Sequence, residues 1–249
     1  MPLGLIVCGV GGRMGGAVVR AAKQTVGVEL VAAIDKPGSA RLGKDAGEIS
    51  AAEHLGVEVT DTIERHLKPG FVIIDFTNPE ASLGYLRAAA KKAVPIVIAT
   101  TGFDPKQLTE IKRLSRRTPT LLSANTSLGV NVLVSLLGKA AKILGDDYDV
   151  EIIEAHHRFK KDAPSGTALA LGRSVADALG RDLDQVGING HKGIVGEHTV
   201  IFGAIGERIE FIHRAHSRDT FAHGAIRAAQ WLAKQKNGLY NMQDVLGLE

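Results

Sequence analysis

The sequence predicts an α/β protein in two parts, a first domain around a parallel sheet with helices on both faces and a second, α+β domain with an open mixed sheet. Three observations lead there. A short continuous apolar run at 5–8 and further mostly apolar strands such as 71–76 alternate with helical patterns, as strands buried on both faces of a parallel sheet require. A glycine-rich turn, Gly9-Val10-Gly11-Gly12-Arg13-Met14-Gly15, links the first run to the first helical pattern. Late in the chain the pattern changes to two alternating runs, 198–202 and 208–213, which suit a sheet with one solvated face. The expected boundaries are 1–126 with 219–249 for the first domain and 127–218 for the second.

Composition narrows the ligand. At 249 residues, 45% hydrophobic and 23% charged, the chain can bury a sizeable core. The net charge is only +3, with basic residues spread out and no aromatic stacking series, which favours a small anionic ligand over nucleic acid. The single cysteine, Cys8, lies inside an apolar strand, so no disulfide forms within the chain and a reducing cytoplasm is the expected setting. The stretch 3–10 is too short for a secretory signal, and no apolar run approaches 18 residues, so no membrane partner is expected.

Taken in order, the run 5–8 enters the glycine turn, a helix over 17–24 follows, and a strand over 28–34 ends at Asp35. This is a βαβ unit of Rossmann-like type. Its glycines read Gly9-x-x-Gly12-x-x-Gly15 with Gly11 extra, and they meet the needs of a tight turn, close approach of backbone to a pyrophosphate, and close helix-to-strand packing. Asp35, 20 residues past Gly15, can accept from a ribose 2′-hydroxyl, which favours NAD; Lys36 beside it can meet a 2′-phosphate instead. The segment 39–58 is less regular and says little. Further strands over 71–76, 94–99 and 119–123 each end in small hydrogen-bonding residues: Thr77-Asn78, Thr100-Thr101 and Ser123-Ala124-Asn125-Thr126. The carboxyl ends of parallel strands are where such sheets bind ligands.

A long apolar helix over 128–144 follows, its polar side marked by Asn131, Ser135, Lys139 and Lys142. Next comes the stretch 151–168, a strand running to His156, then His157, Arg158, Lys160 and Lys161, then Pro164-Ser165-Gly166-Thr167 opening a helix. A helix start presents unpaired N–H groups and the positive end of its dipole, so a proton-donor set here stands beside an anion site. The segment 180–196 reads as a polar, glycine-bearing loop. Arg218 stands just before a closing helix over 219–235, where a cation is disfavoured unless an anion joins it, and the tail 239–249 is expected to return to the first domain. A zinc site from Glu151, Glu154, His156 and His157 is not expected, because strand alternation divides the ligands.

These motifs together resemble the dihydrodipicolinate reductase family, also called 4-hydroxy-tetrahydrodipicolinate reductases, over nearly the whole chain. The resemblance rests on Val-Gly-Gly-Arg-Met-Gly at 10–15, Asp-Phe-Thr-x-Pro at 75–79, Thr-Thr-Gly-Phe at 100–103, Glu-Ala-His-His-Arg at 154–158, Lys160, Asp-Ala-Pro-Ser-Gly-Thr-Ala-Leu at 162–169, Gly-Glu-His at 196–198 and Ser-Arg at 217–218. It implies reduction of a cyclic imine dicarboxylate by NADH or NADPH, without a metal, in lysine and diaminopimelate biosynthesis, by a cytoplasmic homotetramer. It implies that His156 is the acid/base residue and Lys160 a proton donor, and that His157, Ser165, Gly166 and Thr167 hold the substrate carboxylates with Arg218 nearby. The nucleotide contacts it implies are Gly9, Val10, Gly11, Gly12, Arg13 and Met14; Asp35 and Lys36; Ala99, Thr100 and Thr101; and Ser123, Ala124, Asn125 and Thr126. Three departures stand out: Phe159 where many members have histidine, Asp35-Lys36 in place of a Glu-Arg pair, and a shortened 180–196 segment. Two other readings of the same residues are a different NAD(P)-dependent dehydrogenase of a small carboxylate and a non-catalytic dinucleotide sensor.

Overall fold

Apolar runs of β-branched residues become strands here wherever they are flanked by amphipathic helices. The computed structural model describes residues 1–156, 164–192 and 196–248, with backbone alone at 156 and 189–192. The chain divides into two compact units, Met1–Ser127 with Arg218–Val245, and Leu128–Ser217 with Leu246–Glu249.

The first unit opens with β1 (Leu3–Cys8), α1 (Arg13–Gln24), β2 (Val28–Ile34), α2 (Ala46–Ile49) and β3 (Val59–Thr60). It continues through β4 (Phe71–Asp75), α3 (Pro79–Lys92), β5 (Ile96–Ile98), α4 (Pro105–Leu114) and β6 (Pro119–Leu122). Helix starts follow local chemistry: Asn78 caps α3 by accepting from the Ala81 N–H at 3.0 Å, and Asp104 and Gln107 form a reciprocal capping box on α4. The second unit comprises α5 (Leu128–Leu144), β7 (Asp149–His156), α6 (Gly166–Leu179), β8 (Gly187–Lys192), β9 (Glu197–Ala204) and β10 (Glu207–Arg214). The chain ends with α7 (Asp219–Leu232), β11 (Gly238–Tyr240) and α8 (Met242–Leu246).

The sheet of the first unit is wholly parallel, in the order β11-β6-β5-β4-β1-β2-β3. Strand order reverses at β1 and β4, so the crevice at their carboxyl ends is the switch point where open sheets take ligands. One face packs Ile6, Ile34, Ile73, Ile96 and Ile98 against Leu83 and Leu86 of α3 and Ile111 and Leu114 of α4. On the other face α1 and α7 pack against each other and against the sheet. The tail returns to this unit only as far as Val245: β11 pairs with β6, and Tyr240 meets Trp231 of α7 edge to face at 5.2 Å between ring centres, while the residues from Leu246 group with the second unit.

The second sheet runs β10-β9-β7-β8 and is mixed, because β8 is parallel to β7 while the other neighbours are antiparallel. The segment read as a loop over 180–196 therefore contains a strand, which its pairing with β7 supports despite glycines at 187 and 190. Val150, Ile152, Val200 and Phe202 face α5 and α6, and Leu133, Leu137, Ala141, Leu171 and Val175 complete this core.

Two expectations about α5 need correction. Asn131 is buried rather than part of a polar side. The stretch Leu128–Asp147 is also long and apolar enough, by length and composition, for a membrane span, although no such run was expected. Its amphipathic packing explains the composition: Leu133, Leu137 and Ala141 are buried in the core while Lys139 and Lys142 are exposed on the other side.

Candidate active site

The glycine turn leaves β1 at Gly9, whose φ of +72° suits glycine, and closes through the Gly12 N–H donating to the Gly9 carbonyl at 2.8 Å. A Cβ on Gly15 would stand 2.2 Å from the Gly9 carbonyl oxygen and 2.7 Å from Cα of Val10, so only glycine lets α1 lie this close to the turn. No side chain caps the start of α1 and no acid occupies its first turn, so the main-chain donors there suit a pyrophosphate. Arg13 and Gly12 are exposed at this point, and Met14 is half-buried.

Asp35 follows β2. Its Oδ1 accepts from the Lys36 N–H at 2.9 Å and its Oδ2 from the Ser39 hydroxyl at 2.7 Å, while the Lys36 side chain is exposed. A Cβ on Gly11 would lie 2.4 Å from Asp35 Oδ2 and 2.9 Å from both Cδ and Nη1 of Arg41. Arg41 falls in the segment that says little in sequence, and the structure brings it beside the glycine turn.

At the switch point itself, Asp75 ends β4 fully buried. It accepts from the Thr77 N–H at 3.0 Å, the Thr77 hydroxyl at 2.6 Å, the Ser82 hydroxyl, and the Thr100 hydroxyl at 3.3 Å. Burial raises the Asp75 carboxyl above its ordinary value, against the lowering effect of these donors, and burial with the nearby Asp75 pushes the Cys8 thiol up. Thr77 in turn packs against Gly9, whose added Cβ would meet Thr77 Cγ2 at 2.7 Å. Asp75 thus ties the end of β4 to α3 and to the loop after β5.

The other nucleotide candidates follow β5 and β6 at this same sheet edge. Ala99 is hydrogen-bonded to the Asp75 carbonyl at 2.8 Å, the Thr100 hydroxyl turns inward, and Thr101 is exposed. The Ser123 hydroxyl donates to the Asn125 carbonyl at 2.8 Å, Asn125 Oδ1 accepts from Ser127, Ala124 is exposed, and the Thr126 hydroxyl donates to the Phe221 carbonyl of α7 at 2.7 Å. The strand ends therefore gather all of these segments on one sheet edge, where Thr100 and Thr126 support the loops with their hydroxyls.

In the second unit, Ser165 is the N-cap of α6: its hydroxyl accepts from the Ala168 N–H at 3.0 Å. Its own N–H donates to Oε1 of Glu154 at 2.8 Å, and its hydroxyl lies 3.3 Å from Nε2 of His198. His198 stands opposite Glu154 in the β7–β9 register, with its Nε2 3.7 Å from Glu154 Oε2. All three residues are at most 4% exposed. His213 follows across β10, and burial lowers its imidazole below the usual value. Glu154 and His198 anchor the helix start from the sheet, leaving Gly166 and Thr167 as its leading residues.

His157 and Lys160 lie outside the described residues, and so does the side chain of His156, whose backbone ends β7. Arg218 precedes α7 and is half-buried; the Asp219 carboxylate after it lies 3.6 Å from Arg20. Glu151 is exposed and Glu154 buried, as strand alternation requires.

Comparison with known proteins covers both units. Residues 3–126 match the family model described as dihydrodipicolinate reductase, N-terminus, and residues 129–246 the one described as dihydrodipicolinate reductase, C-terminus. The chain is 48% identical over 261 residues to the 4-hydroxy-tetrahydrodipicolinate reductase of Syntrophus aciditrophicus, covering 97% of each chain. It is 47% identical to that of Thiobacillus denitrificans, covering 100% of both. Among solved structures, a dipicolinate-bound dihydrodipicolinate reductase from Paenisporosarcina sp. TG-14 shares the fold with a TM-score of 0.79 at 23% identity, over 98% of this chain and 99% of that one.

Proposed function

The chain belongs to the dihydrodipicolinate reductase family, and from that premise we propose that it reduces 4-hydroxy-tetrahydrodipicolinate, by way of dihydrodipicolinate, to tetrahydrodipicolinate. It is an oxidoreductase of lysine and diaminopimelate biosynthesis that uses a nicotinamide dinucleotide and acts on a small carboxylate. The observation that carries the reading is that the match runs through both units in one chain, so the glycine turn with its strand-end loops and the Pro-Ser-Gly-Thr helix start belong to one reaction.

The glycine turn, Asp35 and the loops after β5 and β6 hold the dinucleotide, in its NADH or NADPH form. When bound, the reduced nicotinamide supplies the hydride. The chain's own residues then bind, orient and protonate. Gly166 and Thr167 at the α6 start take a substrate carboxylate, with Ser165 holding that start in place; His157 and Arg218 supply further donors. Two charges about 4 Å apart attract by about 4 kcal/mol at an effective dielectric of 20, enough to orient a dianion. His156 is the acid and Lys160 a second proton donor. An unperturbed imidazole is only about a quarter protonated at pH 7, and a bound dianion raises that fraction.

His156→Gln and Lys160→Ala are each expected to lower turnover by about 100-fold or more, the range of general acid catalysis, with little change in cofactor dissociation constant. Steady-state rates beside cofactor titration check this; parallel loss of both quantities would refute the roles. The working assembly is a homotetramer in the cytoplasm. Light scattering should return four times the 26.3 kDa chain mass, and a monomer would count against it.

A further inference from the structure

Cofactor choice turns on how the ribose 2′ position is read, and the structure places two opposite chemistries there. Asp35 presents an anionic acceptor suited to a 2′-hydroxyl. Arg41 comes to the same place by a different route. The Ser39 N–H donates to the Lys36 carbonyl at 3.1 Å, the Arg41 N–H to the Ser39 hydroxyl at 3.3 Å, and the Lys44 N–H to the Arg41 carbonyl at 3.1 Å. Ser39 thus bonds both to Asp35 and to the backbone of Arg41. The turn folds the guanidinium over the glycine loop, where Asp35 Oδ2 and Arg41 Nη1 occupy the space a Gly11 side chain would fill. Among the described residues Arg41 makes no ion pair, and its side chain is exposed.

We propose that Arg41 is a specificity-determining residue of the dinucleotide site, its guanidinium receiving the 2′-phosphate of NADP(H) while Asp35 receives the 2′-hydroxyl of NAD(H). This rests on the dinucleotide reading of the first unit. A phosphate dianion is repelled by the Asp35 carboxylate and needs a cation held beside it; a planar guanidinium offers two parallel donors to phosphate oxygens. Lys36 carries a charge too, but on a flexible exposed stem whose backbone N–H already serves Asp35. Arg41 therefore lets one site take both cofactors.

The test is equilibrium binding, by calorimetry, of NADP+, NAD+ and adenosine 2′,5′-bisphosphate to the full chain and to Arg41→Ala and Arg41→Lys. Losing a charge-assisted phosphate contact should weaken NADP+ and the bisphosphate by about ten-fold or more in Arg41→Ala, with NAD+ changed by less than about two-fold. Arg41→Lys should fall between. Equal weakening of NADP+ and NAD+, or no weakening of either, would overturn the assignment while leaving the dinucleotide reading intact. Wild-type protein that binds none of the three would overturn both.

Discussion

Asp75 and Glu154 show how a single buried carboxylate organises each unit. Asp75 gathers donors from Thr77, Ser82 and Thr100, and Glu154 takes the Ser165 N–H, so each fixes a chain turn beside the residues assigned to ligand. The neighbouring His213 makes one consequence measurable. Burial holds its imidazole below the ordinary value of 6.5, so between the folded value and 6.5 the unfolded chain binds more protons. Stability therefore rises with pH across that window and falls as pH drops through 6.5. Urea midpoints at pH 7.5 and 5.5 should drop less in His213→Gln than in the wild type, and an equal drop would show that His213 is not the group responsible. At this scale Asp35 and the glycines were legible in sequence because their spacing is local. Arg41 was not, since only the Ser39 turn carries it over Gly11.

At the scale of elements, α1 tests the packing argument most simply, because adjacent glycines have opposite surroundings. A methyl on Gly15 collides with the backbone of Gly9 and Val10, whereas one on Gly16 has its nearest neighbour, Arg20 Nη1, at 3.6 Å. Gly16→Ala should be neutral or stabilising by about 0.5–1 kcal/mol, from helix propensity. Gly15→Ala should destabilise by about 1–3 kcal/mol, the cost of overpacking, and weaken nucleotide binding. Chemical denaturation of the two variants decides this, and similar effects would contradict the close-approach account. Most strands and helices could be read from apolar runs, caps and prolines. β8 could not, because Gly187 and Gly190 weaken its strand signal and its stability comes from parallel pairing with β7. The resemblance names Ser165 as a carboxylate ligand, and the structure adds a second role for it, as the N-cap of α6 tied to Glu154 and His198.

For the whole molecule, the two units divide the labour the motifs describe: a parallel sheet whose strand ends suit a dinucleotide, and a mixed sheet that positions a helix start suited to an anion. The change from continuous apolar runs to alternating ones in the sequence matches the change from a parallel sheet to a mixed one. The residues proposed as proton donors, His156 and Lys160, are marked only by the resemblance of the Glu-Ala-His-His stretch, since histidine and lysine in a loop have no periodicity to follow. The central claim is that both units serve one reduction. Its most direct measurement is the loss of NADH and NADPH absorbance with freshly generated dihydrodipicolinate. The account predicts rapid oxidation that requires the dicarboxylate and is abolished in His156→Gln. Protein that binds the cofactors yet oxidises neither would contradict it.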